Sequence, residues 1–249
     1  MFVAASTECF ASLPLVQAIE RLDDLEFTSV EIALHEHGQQ LKPSEVQADL
    51  ARAVDLCRYT HRLDVVAYDV IQQAEGPEYY EQFRAICELA KKTKVVTITV
   101  PASPLGTPFN EEVDRLRALS AIAQLHGARI SLKSQIGTLS EDPDTVVVLC
   151  NNVDGLGVTL DPSHYLCGPH GMRNMNKLYK FVYHVHLRDS TKDKLQVRVG
   201  QGEIEYGKLI NNLRRVGYTR ALSVNIREME GVDQNGELRK TRLLLETLL

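Results

Sequence analysis

Short β-branched or apolar runs recur along the whole chain, each followed by an amphipathic stretch, at intervals of roughly 30 residues. This alternation restricts the fold more than any other feature, because each crossover must return the chain to the same end of a sheet. The runs cover residues 2–5, 29–34, 63–68, 95–100, 129–133, 157–161, 182–187 and 222–226. Helical periodicity fills residues 14–25, 43–59, 77–92, 110–126, 143–152, 174–180, 206–216 and 238–248, several of which open on proline or an N-cap residue. In the 43–59 segment Val46, Leu50, Ala53, Val54 and Cys57 fall at three- and four-residue steps, the signature of one covering helix. Eight such units predict a closed (β/α)8 barrel spanning residues 1–249 as one domain. An open doubly wound sheet is the rival, yet the turn after the first run, Ala5-Ser-Thr-Glu-Cys-Phe10, lacks the glycines of a phosphate-binding turn.

Composition narrows the partners. Twenty-eight Lys and Arg against 33 Asp and Glu leave a net charge of −5, so no broad positive field is offered to nucleic acid. Five cysteines, odd in number and widely spaced, suggest neither a disulfide framework nor a zinc knuckle, and a reducing cytoplasm is the expected setting. No run approaches the 18 or so apolar residues of a membrane span, so no membrane partner is expected. The apolar end, Leu243 to Leu249, is suited either to closing the barrel or to meeting a second copy in a homo-oligomer.

In a barrel of this kind the site lies where strands end at the C-terminal face. Glu31 stands inside the second run, followed by His35, Glu36 and His37; a carboxylate there is either a ligand or an interior ion partner. The fifth run ends at Lys133, with Gln135 beyond it, and a lysine at that place is unusual. The sixth ends Asp161-Pro-Ser-His164, a compact acid and imidazole pair. In the seventh, strand alternation puts His184, His186 and Arg188 on one side, with Asp189 turning outward or orienting a neighbour. The eighth contributes Asn225 and, on the same face, Arg227. Arg188, Arg227 and Arg173 are candidate partners for a carboxylate or phosphate.

Leu160-Asp-Pro-Ser-His164, His184-Val-His-Leu-Arg-Asp189, and Gly200-Gln-Gly-Glu-Ile-Glu-Tyr-Gly-Lys-Leu-Ile210 followed by Gly217-Tyr218 resemble the xylose isomerase-like sugar phosphate isomerase and epimerase TIM barrels of the family-2 AP endonuclease-like superfamily. The resemblance implies a divalent metal (Mn, Zn or Mg) held by a Glu ending the fifth strand, an Asp the sixth, a His the seventh and a Glu the eighth. Asp161 and His186 match, and His164 matches a residue that handles substrate or protons in the family. Lys133 and Asn225 replace the two glutamates.

Those replacements raise the local charge by three units relative to the family pattern. An ammonium about 5 Å from a divalent cation is repelled by about 6 kcal/mol at an effective dielectric of 20, so the expectation is no cofactor. Lys133 is then expected to fill the metal's volume and pair with Asp161. It could donate to an oxyanion, or form a Schiff base if burial depresses its pKa. The implied function is isomerisation or epimerisation of a small polyhydroxylated carbonyl compound, a sugar or sugar phosphate. Lys133, His164, Asp161 and His186 would be catalytic, and Glu31, His184, Arg188, Asn225 and Arg227 would bind substrate. The alternative is a non-catalytic descendant that binds a sugar, phosphate or protein in the same pocket. An abasic-site endonuclease would require a multi-metal cluster and a basic surface that this sequence lacks. The Gly200–Gly202 bend is read as structural, with Glu203 and Glu205 favouring the next helix start.

Overall fold

A computed structural model describes residues 1–172 and 175–249. Its strands are β1 (Phe2–Ser6), β2 (Ser29–His35), β3 (Asp64–Ile71), β4 (Thr97–Pro101), β5 (Arg129–Lys133), β6 (Gly157–Leu160), β7 (Val182–Leu187) and β8 (Ala221–Val224). Each pairs in parallel with its sequence neighbour, and β8 pairs with β1 through Phe2↔Ala221 to Ala5↔Val224, which closes the barrel. The helices are α1 (Leu15–Asp24), α2 (Pro43–Ala48), α3 (Leu50–Arg58), α4 (Gly76–Thr93), α5 (Phe109–Leu125), α6 (Pro143–Asn152), α7 (Pro162–Cys167), α8 (Tyr206–Arg215) and α9 (Gln234–Leu248).

Alternation divides each strand into two chemically distinct rows. Ile32, Leu34, Ile98, Val100, Ile130, Leu132, Val158, Leu160, Val185, Leu187, Leu222 and Val224 are almost fully buried in the apolar core beneath the helices. Their neighbours point into the lumen, where hydrogen bonds link side chains of both adjacent and non-adjacent strands. Thr99 and Thr159 hydroxyls lie 2.8 Å apart, Thr159 donates to Ser131 at 2.7 Å, and Ser223 donates to Glu31 at 3.0 Å. The lumen is therefore a polar interior in which burial is offset by hydrogen bonding.

Two expectations change. The single helix expected over 43–59 is broken at Asp49 (φ −146°, ψ 82°), whose side chain accepts from Arg52 N at 2.9 Å and caps α3. An N-cap aspartate supplies the acceptor that the first turn lacks, and here that outweighs continuous periodicity. The 174–180 helix is a 3-10 segment, Met175–Phe181, with Asn174, like Arg173, outside the described residues.

The long 189–205 connection folds over the C-terminal face, held by Asp189. That residue does not turn outward: it is buried, and its carboxylate accepts from Gly200 N at 2.8 Å and Gly202 N at 3.0 Å. A Cβ on Gly202 would collide with the Asp189 carboxylate, so the second glycine of the Gly-x-Gly bend is required by close approach. Gln196 brackets the backbone of Arg227, accepting from its N–H at 2.8 Å and donating to its carbonyl at 2.7 Å. The connection thereby reaches the loop after β8 across the barrel mouth. Among the described residues no helix is long and apolar enough to cross a membrane.

Candidate active site

The deepest layer is built on Glu31 of β2. Its Oε1 accepts from His186 Nε2 at 2.8 Å; His184 Nε2 lies 3.2 Å from the same oxygen but off the line of a hydrogen bond. All three side chains are buried. Burial alone would raise the Glu31 pKa, but the two imidazoles beside it and the hydrogen bond with His186 hold it well below the ordinary carboxylate range. His186 Nδ1, the other ring nitrogen, has no hydrogen-bond partner.

Above this layer the mouth carries a line of alternating charges. Lys133 Nζ donates to Asp69 Oδ2 at 2.6 Å. His35 Nε2 stands 3.3 Å from the same Asp69 oxygen, and His35 Nδ1 lies 2.8 Å from Glu8 Oε1. Arg227 reaches the other Glu8 oxygen at 3.2 Å. Burial opposes charge on His35, yet the hydrogen bonds to Asp69 and Glu8 prevail and raise its pKa to about 9. Burial works against ionised Glu8 too, and His35 brings it down to about 2. Burial would likewise depress Lys133, but Asp69 outweighs it and raises the lysine, while Lys133 and His35 hold Asp69 well below its ordinary value. At neutral pH the line is fully ionised.

Lys133 thus does not pair with Asp161 as the sequence suggests. Asp161 caps α7, accepting from Ser163 N at 3.0 Å, and its second oxygen accepts from Arg188 Nη2 at 2.8 Å. The reason is side-chain charge: the Arg188 guanidinium just after β7 already neutralises Asp161, whereas Asp69 faces Lys133 across β4. The condition on which Lys133 would turn nucleophilic, a pKa depressed by burial, is not met, because the ion pair with Asp69 raises it.

His164 Nδ1 accepts from Ile136 N at 3.2 Å, which leaves Nε2 carrying the proton of the neutral ring, 3.8 Å from Asp161. Burial lowers its pKa to about 4 despite Asp161, so neutral His164 is a hydrogen-bond donor at physiological pH. Glu8, Ile71, Lys133, Gln135, His164, Arg188, Leu195, Gln196 and Arg227 line a cavity of about 340 Å³ at the strand C-termini. Asn225 is buried nearby on the β8 continuation with neither side-chain atom partnered, and Arg188 Nε and Asp69 Oδ1 are also without partners.

Of the residues chosen from sequence, Lys133, His164, Arg188 and Arg227 line this cavity, with Asp161 behind Arg188; Glu31, His184 and His186 form the layer below. His35 points inward and His37 is exposed. Sequence reasoning missed Glu8 and Asp69. Asp69 had a signal, as a lone acid within the apolar run Val65-Val-Ala-Tyr-Asp-Val-Ile71; Glu8 lay in a turn with nothing to distinguish it.

Residues 19–248 match the family model described as xylose isomerase-like TIM barrel, and the chain belongs to this family. An uncharacterised protein of Methanocaldococcus jannaschii, MJ1311, is 23% identical over 137 residues, a stretch spanning 51% of this chain and about half (47%) of the relative. A D-psicose 3-epimerase structure solved with D-fructose superposes with a TM-score of 0.78 at 13% identity, covering 100% of this chain and 99% of that one. A xylose isomerase-like barrel from Mycobacterium smegmatis in complex with magnesium gives 0.77 at 14%, covering 99% and 95%. At these identities the likeness carries the fold.

The four positions at which the family resemblance implies a metal do not fit one here. Lys133 brings a cation, both Asp161 oxygens are engaged, and Asn225 offers only a neutral carbonyl beside His186. The three ligand atoms that do cluster, within 4.8 Å of one another, belong to Glu31, His184 and His186 in the lumen. That set is chemically able to hold zinc, and it is a different set from the one expected at the mouth.

Proposed function

We propose that this protein binds a small polyhydroxylated carbonyl compound of the sugar or sugar phosphate class at the barrel mouth, and acts on it by proton transfer beside the carbonyl. The observation that carries the reading is the Lys133 ammonium, held by Asp69 at the end of β5 and lining a 340 Å³ cavity suited to a molecule of that size. A fixed positive charge there can stabilise an enediolate oxygen as it forms, with His164 Nε2–H as a second donor. Burial of Lys133 and His164 strengthens both interactions. Glu8 is the carboxylate among the cavity-lining residues, ionised at neutral pH and the candidate proton acceptor. Arg188 in the cavity wall and the unpartnered Asn225 amide buried nearby offer both donors and acceptors for hydroxyl groups.

A second reading is binding without turnover, and the low basicity of Glu8 favours it. Its carboxylate is stabilised by His35 and Arg227, so it is a weak base. Incubation of the purified protein with ketopentoses and ketohexoses in D₂O, followed by proton NMR, separates the two. Deuterium appearing at the carbon beside the carbonyl, and lost in Lys133→Met, supports catalysis. Saturable binding without exchange supports the binding-only reading, and absence of both binding and exchange overturns the sugar assignment.

A further inference from the structure

The donors and acceptors facing the mouth are unequal in number, and the imbalance bears on what a ligand must bring. Lys133 carries three N–H groups, of which Asp69 takes one; Arg188 carries five, of which Asp161 takes one, and its Nε is buried without a partner. Neutral His164 adds an N–H. Of the side-chain acceptors nearby, Asp69 Oδ1 and Asn225 Oδ1 are unpartnered, whereas those of Glu8 and Asp161 are engaged. Both Glu8 oxygens receive hydrogen bonds from His35 and Arg227, and both Asp161 oxygens from Ser163 and Arg188. Three cations, Lys133, Arg188 and Arg227, line the cavity against the single carboxylate of Glu8.

Two of these cations are built in. Lys133 and Arg188 are 6% and 5% exposed, so both heads are fixed in the cavity wall. Arg227 differs: its side chain is 65% exposed and its backbone is clamped by Gln196, which makes it a rim group able to close on a ligand. A neutral hydroxyl or carbonyl supplies one or two acceptor lone pairs and no charge. A carboxylate or phosphate supplies several acceptors and a negative charge to the donors of Lys133, Arg188 and Arg227 that Asp69, Asp161 and Glu8 leave unused.

We infer that the ligand carries an oxyanion group, seated on Lys133 and Arg188 with Arg227 closing over it, at the place where related barrels are expected to use a metal. The ligand class is thus a sugar acid or a sugar phosphate rather than a neutral sugar. This rests on the sugar reading above and narrows it, since either group would use the same donors.

Calorimetric titration of the full chain with a ketopentose, its 5-phosphate, the corresponding pentonate and inorganic phosphate tests the assignment, repeated in Arg227→Gln and Lys133→Met. At least one charged pentose is expected to bind tenfold or more tighter than the neutral ketopentose. That preference should weaken as salt rises, and fall severalfold in Arg227→Gln, an exposed change that leaves the core intact. Whether the phosphate or the pentonate shows the preference identifies the group. Neutral pentose binding within twofold of both charged forms overturns the oxyanion inference while leaving the sugar reading standing. Inorganic phosphate binding with no pentose bound keeps the oxyanion seat and overturns the sugar reading. No binding by any of the four overturns both.

Discussion

Lys133 Nζ and Asp69 Oδ2 meet at 2.6 Å across the intervening strand β4, and both side chains are almost completely buried. A lysine at the end of β5 is stable there because β3 supplies a carboxylate at the same height, itself shared with His35. The pair explains how this barrel keeps a positive centre at its mouth without the carboxylate-rich cage implied by its family resemblance.

Breaking that pair from the lysine side should be costly. Lys133→Met leaves Asp69 buried with only His35 to balance it, and a loss of about 3–5 kcal/mol in unfolding free energy is expected. Adding Asp69→Asn should restore much of it. Chemical denaturation of the two single variants and the double variant measures the coupling, and simple additivity would show that the pair contributes nothing.

The Glu8–His35–Asp69 line predicts a particular pH dependence. His35 has its pKa raised to about 9 in the fold, so its contribution is fully present below the ordinary value of about 6.5 and is lost as pH rises through about 9. Glu8 works in the opposite sense: lowered to about 2, it contributes above the ordinary carboxylate value and loses that contribution as pH falls through about 2. A loss of unfolding free energy between pH 6.5 and 9.5 is therefore expected, of the order of 3 kcal/mol at most, and is read as a fall in Tm. His35→Gln should flatten it. An unchanged alkaline slope in that variant would assign the titration elsewhere.

Gly202→Ala should destabilise by about 1–3 kcal/mol, because the new Cβ meets the Asp189 carboxylate that two backbone N–H groups already grip. The damage should be local. Hydrogen exchange is expected to quicken across 189–205, with the amides of β1 to β4 protected as before, and uniform quickening would contradict the loop's role as a separate strap.

Restoring acidic ligands should create a metal centre. In Lys133→Glu, Asn225→Glu, two carboxylates join Asp161 and His186 at the mouth, and the charge there falls by three units. The double variant is expected to bind about one Mn²⁺ more per chain than the unmodified protein, by elemental analysis after dialysis against the ion. Equal contents would mean that these two positions do not correspond to the missing glutamates.

His164 is expected to be silent between pH 5.5 and 8, since it is already neutral and its pKa lies near 4. Ligand affinity should hold steady across that range with respect to this group. A His164 C2 proton shift titrating near pH 6.5 in NMR would show that the ring is not buried as described.

Much of the architecture was legible in the chain itself. Strand and helix periodicities are local properties, repeated every 2.0 and 3.6 residues, and they were enough to place all eight strands in order and to indicate closure. The polar row of β7 was legible for the same reason: His184, His186 and Arg188 share a side because alternate residues must. Asp49 limited the helix reading, since one capping side chain broke a stripe that looked continuous.

What the sequence could not contain was the pairing of charges across the lumen. Lys133 and Asp69 are 64 residues apart, and Glu31 and His186 are 155 apart. Which of them meet depends on the closure and stagger of all eight strands, and that geometry chose Asp69 for Lys133 and Arg188 for Asp161. The residue types at the mouth were thus determined by the sequence alone. Their partners, and with them the protonation states that make the mouth a fixed positive site, were decided by the tertiary structure, because electrostatic interaction between buried groups depends on distance in space.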